Sequence, residues 1–140
     1  IMFRDVPTAS PDAPLSEVLN KLIATPLRRV VVVDESRRVL GIVVDAGLLA
    51  QISRQAPPGA FRSLLARLAN LPAEPSAIVG RAADVMERVV FTVHTDTPLV
   101  EVIQQMIEKR VKRLVVTDAE ERLIGMVDRA SLLRAIGDER

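Results

Sequence analysis

The chain has 140 residues, of which 49% are hydrophobic and only 2% are aromatic. Its 19 basic and 18 acidic residues leave a net charge of +1, so the charge balance gives no reason to expect a nucleic acid or an anionic membrane as a partner. The absence of cysteine excludes disulfide bonds, thiolate metal sites and cysteine nucleophiles. These totals predict an aliphatic core that serves one compact domain, or two small half-domains together.

The sequence shows no signal peptide and no apolar run of the roughly 20 residues that a membrane-spanning helix needs. We therefore expect a cytoplasmic location without insertion into a membrane. The sequence opens with Ile1-Met2, which leads us to expect that the natural protein extends further upstream.

One sequence unit occurs twice, at a constant shift of 84 residues. Residues 41–49 read GIVVDAGLL and residues 125–133 read GMVDRASLL, and the match needs no gap from residue 1 to residue 49. Such self-similarity indicates two copies of one structural unit. The predicted boundaries are 1–53 for the first repeat, 54–80 for a connecting segment with a helix, and 81–140 for the second repeat.

Each repeat is predicted to begin with a short strand, at residues 6–9 and 90–93, and to continue with a helix. Thr97-Pro98 favours a helix in which Thr97 is the N-cap and Pro98 the first helical residue. The apolar positions of these helices recur at the spacing of one helical face. They are Leu15, Val18, Leu19, Leu22 and Ile23 in the first copy, and Leu99, Val102, Ile103, Met106 and Ile107 in the second.

Two strands and a closing helix complete each repeat. Residues 29–34 and 113–118 are β-branched runs of the kind found in buried strands. Polar turns lead from them to a second strand, which is predicted at 39–44 and 122–127. The Leu-Leu pairs at 48–49 and 132–133 begin the closing helices, the second of which is predicted to end near Gly137.

The connecting segment carries its own helical pattern between prolines. Its apolar stripe consists of Phe61, Leu64, Leu65, Leu68 and Leu71. One interpretation is a helix that lies on the two halves; the other is a lid or a docking helix for a neighbouring domain.

A half of about 55 residues buries too little apolar surface to be comfortably stable alone. Two copies can instead pack sheet against sheet and share a core. The predicted fold class is therefore mixed α/β (α+β): two β-α-β-β-α repeats that pack about a pseudo-two-fold axis, together with a connecting helix.

The motifs at these positions resemble those of a known family, the tandem CBS domains, also called the Bateman module. In the second copy they are Asp84-Val85-Met86, Thr92, Asp96-Thr97-Pro98-Leu99, residues 111–116, Gly125-Met126-Val127 and Leu132-Leu133. In the first copy they are Met2, Thr8, Asp12, Pro14-Leu15, residues 27–32, Gly41-Ile42-Val43 and Leu48-Leu49. The likeness covers nearly the whole chain except the connecting segment.

The resemblance implies a regulatory module rather than an enzyme. Such a module requires no cofactor and would bind an adenine nucleotide (AMP, ADP or ATP) or S-adenosylmethionine in clefts between the halves. It also implies a homodimer and an attached upstream domain whose state the ligand biases.

In the family pattern, a hydroxyl residue after the second strand contacts ribose or phosphate, and an Asp three residues later holds both ribose hydroxyls. Here the hydroxyl positions carry Val44 and Asp128, and the Asp positions carry Gly47 and Ser131. Both carboxylates that would hold a ribose are therefore missing. Asp128 would also oppose an approaching phosphate, and Arg129 is predicted to pair with it.

The basic residues of the pattern persist in both copies. They are Arg28-Arg29 and Lys112-Arg113, for which we keep two interpretations: an anion site, or solvated charge at a strand edge. The remaining candidate ligand contacts are Thr8, Thr92 and His94, although His94 can equally be an ordinary surface residue.

Two hypotheses follow. The first is a regulatory module that senses a nucleotide or another anionic ligand. The second is a structural dimerisation module that has lost its adenosyl ligand. No pair of acids at matched spacing and no glycine-rich phosphate loop supports an enzyme.

Overall fold

The computed structural model describes residues 3–55 and 79–138. Within these ranges it contains two three-stranded sheets, one in each repeat, and helices that pack on them. The helix predicted between the repeats, together with its apolar stripe, lies outside the described residues.

The first half follows the predicted order of elements. They are β1 (Thr8–Ala9), α1 (Leu15–Ala24), β2 (Arg29–Val33), β3 (Val39–Val44) and α2 (Asp45–Gln55). In the sheet, β2 lies in the centre, parallel to β1 and antiparallel to β3. A central strand flanked on both sides is shielded from water, which suits the four consecutive valines of β2.

The second half repeats this arrangement after a short leading helix. Its elements are α3 (Ala82–Val85), β4 (Thr92–His94), α4 (Leu99–Lys109), β5 (Arg113–Thr117), β6 (Leu123–Asp128) and α5 (Arg129–Asp138). Strand β5 is parallel to β4 and antiparallel to β6. The predicted α/β fold class and the repeated β-α-β-β-α order are confirmed, although each leading strand begins two residues later than predicted.

The predicted start of α4 was wrong. Pro98 is the N-cap and the helix begins at Leu99. The Thr97 hydroxyl does not cap the helix, because its Oγ1 accepts a hydrogen bond from the His94 N–H at 2.9 Å. The threonine thus closes the turn between β4 and the helix instead of serving the helix itself.

The apolar stripes of α1 and α4 are only partly buried. Leu15, Val18 and Leu22 lie in the core, as the spacing predicts. Ile23 and its counterpart Ile107 are instead each 70% exposed, on the outside of the molecule. The stripe is therefore wider than the surface that the sheet covers.

Each half has its own core, and a third cluster joins the two halves. The joint cluster takes Val31 and Val33 from β2, Val115 from β5 and Met126 from β6, with Phe3 packed against it. Because one face of each central strand serves its own half and the other face serves this joint cluster, neither half can bury its sheet alone.

The two halves also exchange backbone hydrogen bonds. Phe3 pairs with Met126 of β6 through bonds of 2.7 and 2.8 Å, and Glu87 pairs with Ile42 of β3 through bonds of 2.8 and 3.0 Å. Each repeat therefore sends its leading segment across to the other repeat. This exchange positions the segment after Glu87 along the seam between the sheets, where the candidate site lies.

Candidate functional site

A cleft of about 420 Å³ opens at the seam, with walls from both repeats. We call it the basic cleft. Its lining residues are Arg29, Ile42, Val44, Glu87, Val89, Val90, Phe91, Arg110, Val111, Lys112, Arg113, Val115 and Met126. Its volume falls within the roughly 300–1,000 Å³ that is usual for small-molecule sites.

Among the described residues, four cations and one carboxylate line the basic cleft. The cations are Arg29, Arg110, Lys112 and Arg113, and the carboxylate is that of Glu87. Among residues 3–55 and 79–138, none of these four cations forms an ion pair. The cleft therefore presents an excess of positive charge that attracts anions.

Arg29 and Arg113 begin the central strands of the two halves. Burial lowers the pKa of Arg29, and the like charge of Arg113 lowers this pKa further, against the opposing effects of Asp45 and Glu87. A guanidinium stays protonated in a protein despite such a shift, so the two charges repel each other across the cleft.

The Nε atom of Arg113 is buried, and no described residue accepts a hydrogen bond from it. An unsatisfied buried donor costs about 1–3 kcal/mol, and more when it is charged. An anion within hydrogen-bond distance of this Nε would remove this cost. The donor set of the cleft, N–H groups of arginine and an ammonium, matches the oxygens of a phosphate or carboxylate.

The cleft also has an apolar part. It is formed by Val89, Val90 and Phe91 from the segment that crosses between the repeats, and by Val111 from the approach to β5. The Lys109 ammonium lies over the Phe91 ring, 4.7 Å from its centroid. The ammonium thus covers one face of the Phe91 ring.

Of the residues predicted from the sequence, the structure brings Arg29, Val44, Lys112 and Arg113 together in the basic cleft. The sequence reasoning missed Glu87, Phe91 and Arg110. Arg110 could have been noticed in the sequence because it is a third basic residue, two positions before Lys112-Arg113. In the structure it is the C-cap of α4, with φ of 54°. The inclusion of Glu87 and Phe91 depends on the exchange between repeats, which no local pattern reveals.

Several predicted residues lie outside the lining of the cleft. Thr8 and Thr92 pair with the central strands from β1 and β4, and the Thr8 carbonyl accepts a hydrogen bond from the Lys21 ammonium. Arg28 is exposed, with φ of 55°. His94 lies 3.7 Å from a Glu121 carboxylate oxygen and lines a different groove.

Gly47 lies in the first turn of α2, beside α3. A β-carbon at this position would lie 3.5 Å from the Val85 carbonyl oxygen and 3.8 Å from a methyl group of Val44, which are ordinary contacts. The backbone therefore has room for a larger side chain, and the lost carboxylate was not excluded by sterics.

Asp128 and Ser131 serve the start of α5. The Asp128 Oδ1 accepts the Ser131 N–H at 2.7 Å, and the Ser131 hydroxyl accepts a hydrogen bond from Arg134 at 3.2 Å. The predicted pair between Asp128 and Arg129 was wrong: among the described residues these two form no ion pair, because the carboxylate is directed to the helix terminus.

The electrostatics of Asp128 agree with this role. Partial burial alone raises its pKa, but hydrogen bonds from Ser131 and the charges of Arg113 and Arg134 outweigh burial and lower the pKa below its ordinary value. Asp128 thus stays ionised and partly neutralises Arg113.

Within the described ranges, no group of three or more histidine, aspartate or glutamate side chains is arranged to hold a metal ion. None of the helices described there has the length and apolar character required to cross a bilayer.

Two solved structures resemble the fold closely. The cytosolic domain of the Mg²⁺ channel MgtE, in complex with ATP, superposes with a TM-score of 0.71 at 25% identity over 96% of this chain and 46% of that chain. CBSX2 in complex with AMP superposes with a TM-score of 0.72 at 22% identity, over 99% of this chain and 95% of that one.

At the sequence level, an uncharacterized protein of Methanopyrus kandleri is 27% identical over 131 residues, which is 94% of this chain. The chain spans 58% of the length of that relative. The family model for the CBS domain matches residues 1–54 and 82–138, one match in each repeat. The chain therefore belongs to the CBS-domain family, and its two repeats form a CBS pair.

Proposed function

We propose that this CBS pair is a non-catalytic regulatory module that binds a small polyanion, first of all an adenine nucleotide, in the basic cleft. The observation that carries the proposal is the cluster of four cations that form no ion pair with any described residue, one of which has a buried Nε without a described partner. The phosphates would contact Arg29, Lys112 and Arg113, and the apolar wall at Val89–Phe91 would receive the base.

Two comparisons support the choice of ligand class. The channel domain was solved in complex with ATP, and CBSX2 in complex with AMP. Because Val44 and Gly47 replace the hydroxyl and the carboxylate of the family pattern, we expect the phosphates to contribute more of the affinity here than the ribose does.

Regulation would act through the relative position of the two repeats. The cleft takes Arg29 and Ile42 from the first repeat and Lys112 and Arg113 from the second, so a bound anion attracts both repeats at once. A ligand that prefers one arrangement of the halves shifts the population toward it. We propose a cytoplasmic module whose shift biases an attached upstream domain.

Thermal unfolding with AMP, ADP, ATP, S-adenosylmethionine and inorganic pyrophosphate tests this function. A ligand at about 100 times its Kd adds roughly 2.7 kcal/mol to the free energy of unfolding. We expect stabilisation by the phosphate-bearing compounds, which Arg113→Ala reduces to about 0.4–1.4 kcal/mol at the same ligand concentration and Arg54→Ala preserves. Arg54 is an exposed arginine near the end of α2, so its variant removes the same charge outside the cleft. Unchanged melting across the panel contradicts the proposal.

A second candidate function, a dimerisation module, is favoured by matched exposed side chains. Leu49 and Leu133 occupy equivalent positions of the repeats and are 65% and 66% exposed. Ile23 and Ile107, on α1 and α4, are a second equivalent pair, and each is 70% exposed. Large aliphatic side chains exposed twice at the same repeat positions fit a symmetric contact between two copies of the chain.

Sedimentation analysis of the chain and of the Leu49→Asp, Leu133→Asp double variant tests this second candidate. We expect a dimer that the double variant converts to a monomer without loss of helical signal. A monomer at high micromolar concentration of the unchanged chain would eliminate dimerisation, whatever the result of the nucleotide panel.

A further inference from the structure

The repeat shift of 84 residues gives the basic cleft a counterpart in the fold. Residues 87–91, which line the basic cleft, cross to β3, and residues 3–7 make the reciprocal crossing to β6. We call the place beside residues 3–7 the counterpart position; it consists of the repeat equivalents of the cleft lining. At the end of each crossing segment a carbonyl accepts an N–H of the neighbouring central strand: Phe91 from Val115 at 3.3 Å, and Pro7 from Val31 at 3.0 Å.

The two places share their central cations. Because the shift exchanges Arg29 with Arg113, this pair of guanidinium groups belongs to both places. Each place also has a basic residue next to the pair in sequence, which is Lys112 in the basic cleft and Arg28 at the counterpart position. The basic residues alone would therefore give the chain two anion sites.

A carboxylate distinguishes the counterpart position from the basic cleft. In the register of the sheets Val44 lies opposite Arg29, whereas its equivalent Asp128 lies opposite Arg113. Burial opposes the ionisation of Asp128, but hydrogen bonds from Ser131 and the charge of Arg113 outweigh burial and hold its pKa below the ordinary value. The carboxylate is thus charged at neutral pH, and a phosphate that approaches Arg113 from this side meets a like charge.

Three further exchanges of residue type separate the two places. Val89 of the basic cleft corresponds to Asp5, Arg110 corresponds to Pro26, and Glu87 corresponds to Phe3. Among the described residues, the basic cleft therefore has four cations and one carboxylate, whereas their repeat equivalents comprise three cations and two carboxylates. The duplicated fold thus carries two different electrostatic environments.

We propose that each chain binds one polyanion, in the basic cleft, and that Asp5 and Asp128 close the counterpart position to anions. This inference rests on the proposed function and adds to it the number of sites and the residues that select between them. A single ligand lies to one side of the shared arginine pair. It is held by residues 110–113 of the second repeat and by Arg29 of the first, so it attracts the two repeats unequally.

Calorimetric titration with pyrophosphate counts the sites per chain in three forms of the protein. The first is the unchanged chain. The second is Asp5→Asn, Asp128→Asn, in which the new amide oxygen at position 128 can still accept the Ser131 N–H and preserve the start of α5. The third is Val44→Asp, Val89→Asp, which gives the basic cleft the two carboxylates of the counterpart position. Melting curves establish that each form is folded.

The double variant Glu17→Gln, Glu101→Gln is the matched control. It also removes two acids at equivalent positions of the repeats, but both are exposed in the first turns of α1 and α4, outside the two places. A change in site number that came only from net charge would appear in this control as well.

We expect one pyrophosphate per chain for the unchanged chain and for the control. The asparagine double variant should bind two, the second about 10- to 100-fold more weakly, because Pro26 stands where the basic cleft has Arg110. The aspartate double variant should bind at least about 100-fold more weakly than the unchanged chain, since two like charges then face the ligand.

Two sites in the unchanged chain, or a single site in the folded asparagine double variant, would overturn this inference and leave the proposed function intact. Undiminished binding by the aspartate double variant would overturn it as well, which keeps the inference testable if the asparagine variant does not fold. The absence of binding to every form would contradict the proposed function itself, and this inference with it.

Discussion

Arg29 and Arg113 occupy the same position in the two repeats, and the fold brings both side chains to one cleft. Each begins a central strand, and the two strands share the cluster of apolar residues that joins the halves. The same packing that gives both repeats a common core thus forces two like charges together. We regard this juxtaposition as the origin of the proposed anion site.

Replacing Arg113 with alanine should weaken anion binding and leave folding nearly unchanged. A hydrogen bond to a charged group contributes about 1.5–3 kcal/mol, so Kd for pyrophosphate or AMP should rise about 10- to 100-fold in calorimetric titrations. Stability should hold because the variant removes an orphaned donor and a repulsion with Arg29. A fall in melting temperature of more than several degrees would show that Arg113 is structural.

Restoring the missing groups should create selectivity for ribose. In the double variant Val44→Thr, Gly47→Asp the new carboxylate can accept hydrogen bonds from two ribose hydroxyls. We expect AMP to bind about 10- to 100-fold more tightly, while pyrophosphate, which has no ribose, binds no better. If both ligands gain equally, the carboxylate does not contact the ribose. Space for the change exists, because a β-carbon at Gly47 meets only ordinary contacts.

The charge of Asp128 should stabilise the fold in a pH-dependent way. Its pKa in the folded chain is lowered below the ordinary value of 3.8. The stabilisation is therefore fully present above the unfolded pKa and is lost as pH falls through the folded pKa. We expect Asp128→Asn to lower the melting temperature by a constant amount between about pH 5.5 and 7, and the gap from the unchanged chain to narrow below about pH 4. A gap that is the same at every pH would mean that packing, not charge, is lost.

The same variant should strengthen anion binding at neutral pH. Asp128 partly neutralises Arg113, so removal of its charge frees that guanidinium for a ligand. We expect Kd for pyrophosphate to fall in Asp128→Asn and to be unaffected in a variant at an acid outside the cleft, such as Asp12→Asn. Weaker binding in Asp128→Asn would place the carboxylate among the ligand contacts.

Gly41 and Gly137 form a matched pair for testing the contact between the repeats. A β-carbon at Gly41 would lie 2.7 Å from the Met86 sulfur and 2.8 Å from the Glu87 carbonyl oxygen, so Gly41→Ala must displace the Glu87 backbone that pairs with Ile42 of β3. We expect a loss of about 1–3 kcal/mol in urea unfolding. At Gly137 a β-carbon meets nothing within 4 Å, and alanine is the better helix former, so Gly137→Ala should gain up to about 1 kcal/mol. Similar effects of the two changes would contradict the close approach at Gly41.

The sequence alone was sufficient for the β-α-β-β-α order within each repeat and for the duplicated architecture, but it did not predict the short helix α3. Local periodicity identifies helices and strands without tertiary information, and the ungapped shift between the repeats shows that both halves fold alike. The loss of both carboxylates of the family pattern, at Gly47 and Ser131, is equally visible in the sequence, because it depends only on register within a motif.

Tertiary structure decided which side chains meet. Glu87 and Phe91 enter the cleft because the leading segment of the second repeat crosses to β3, and a pairing between residues as distant as Ile42 and Glu87 leaves no local signal. The capping role of Asp128 and the outward position of Ile23 likewise depend on what neighbouring elements cover. A motif fixes which residue types are present; long-range packing fixes which of them share a cleft, which are enclosed and which remain exposed.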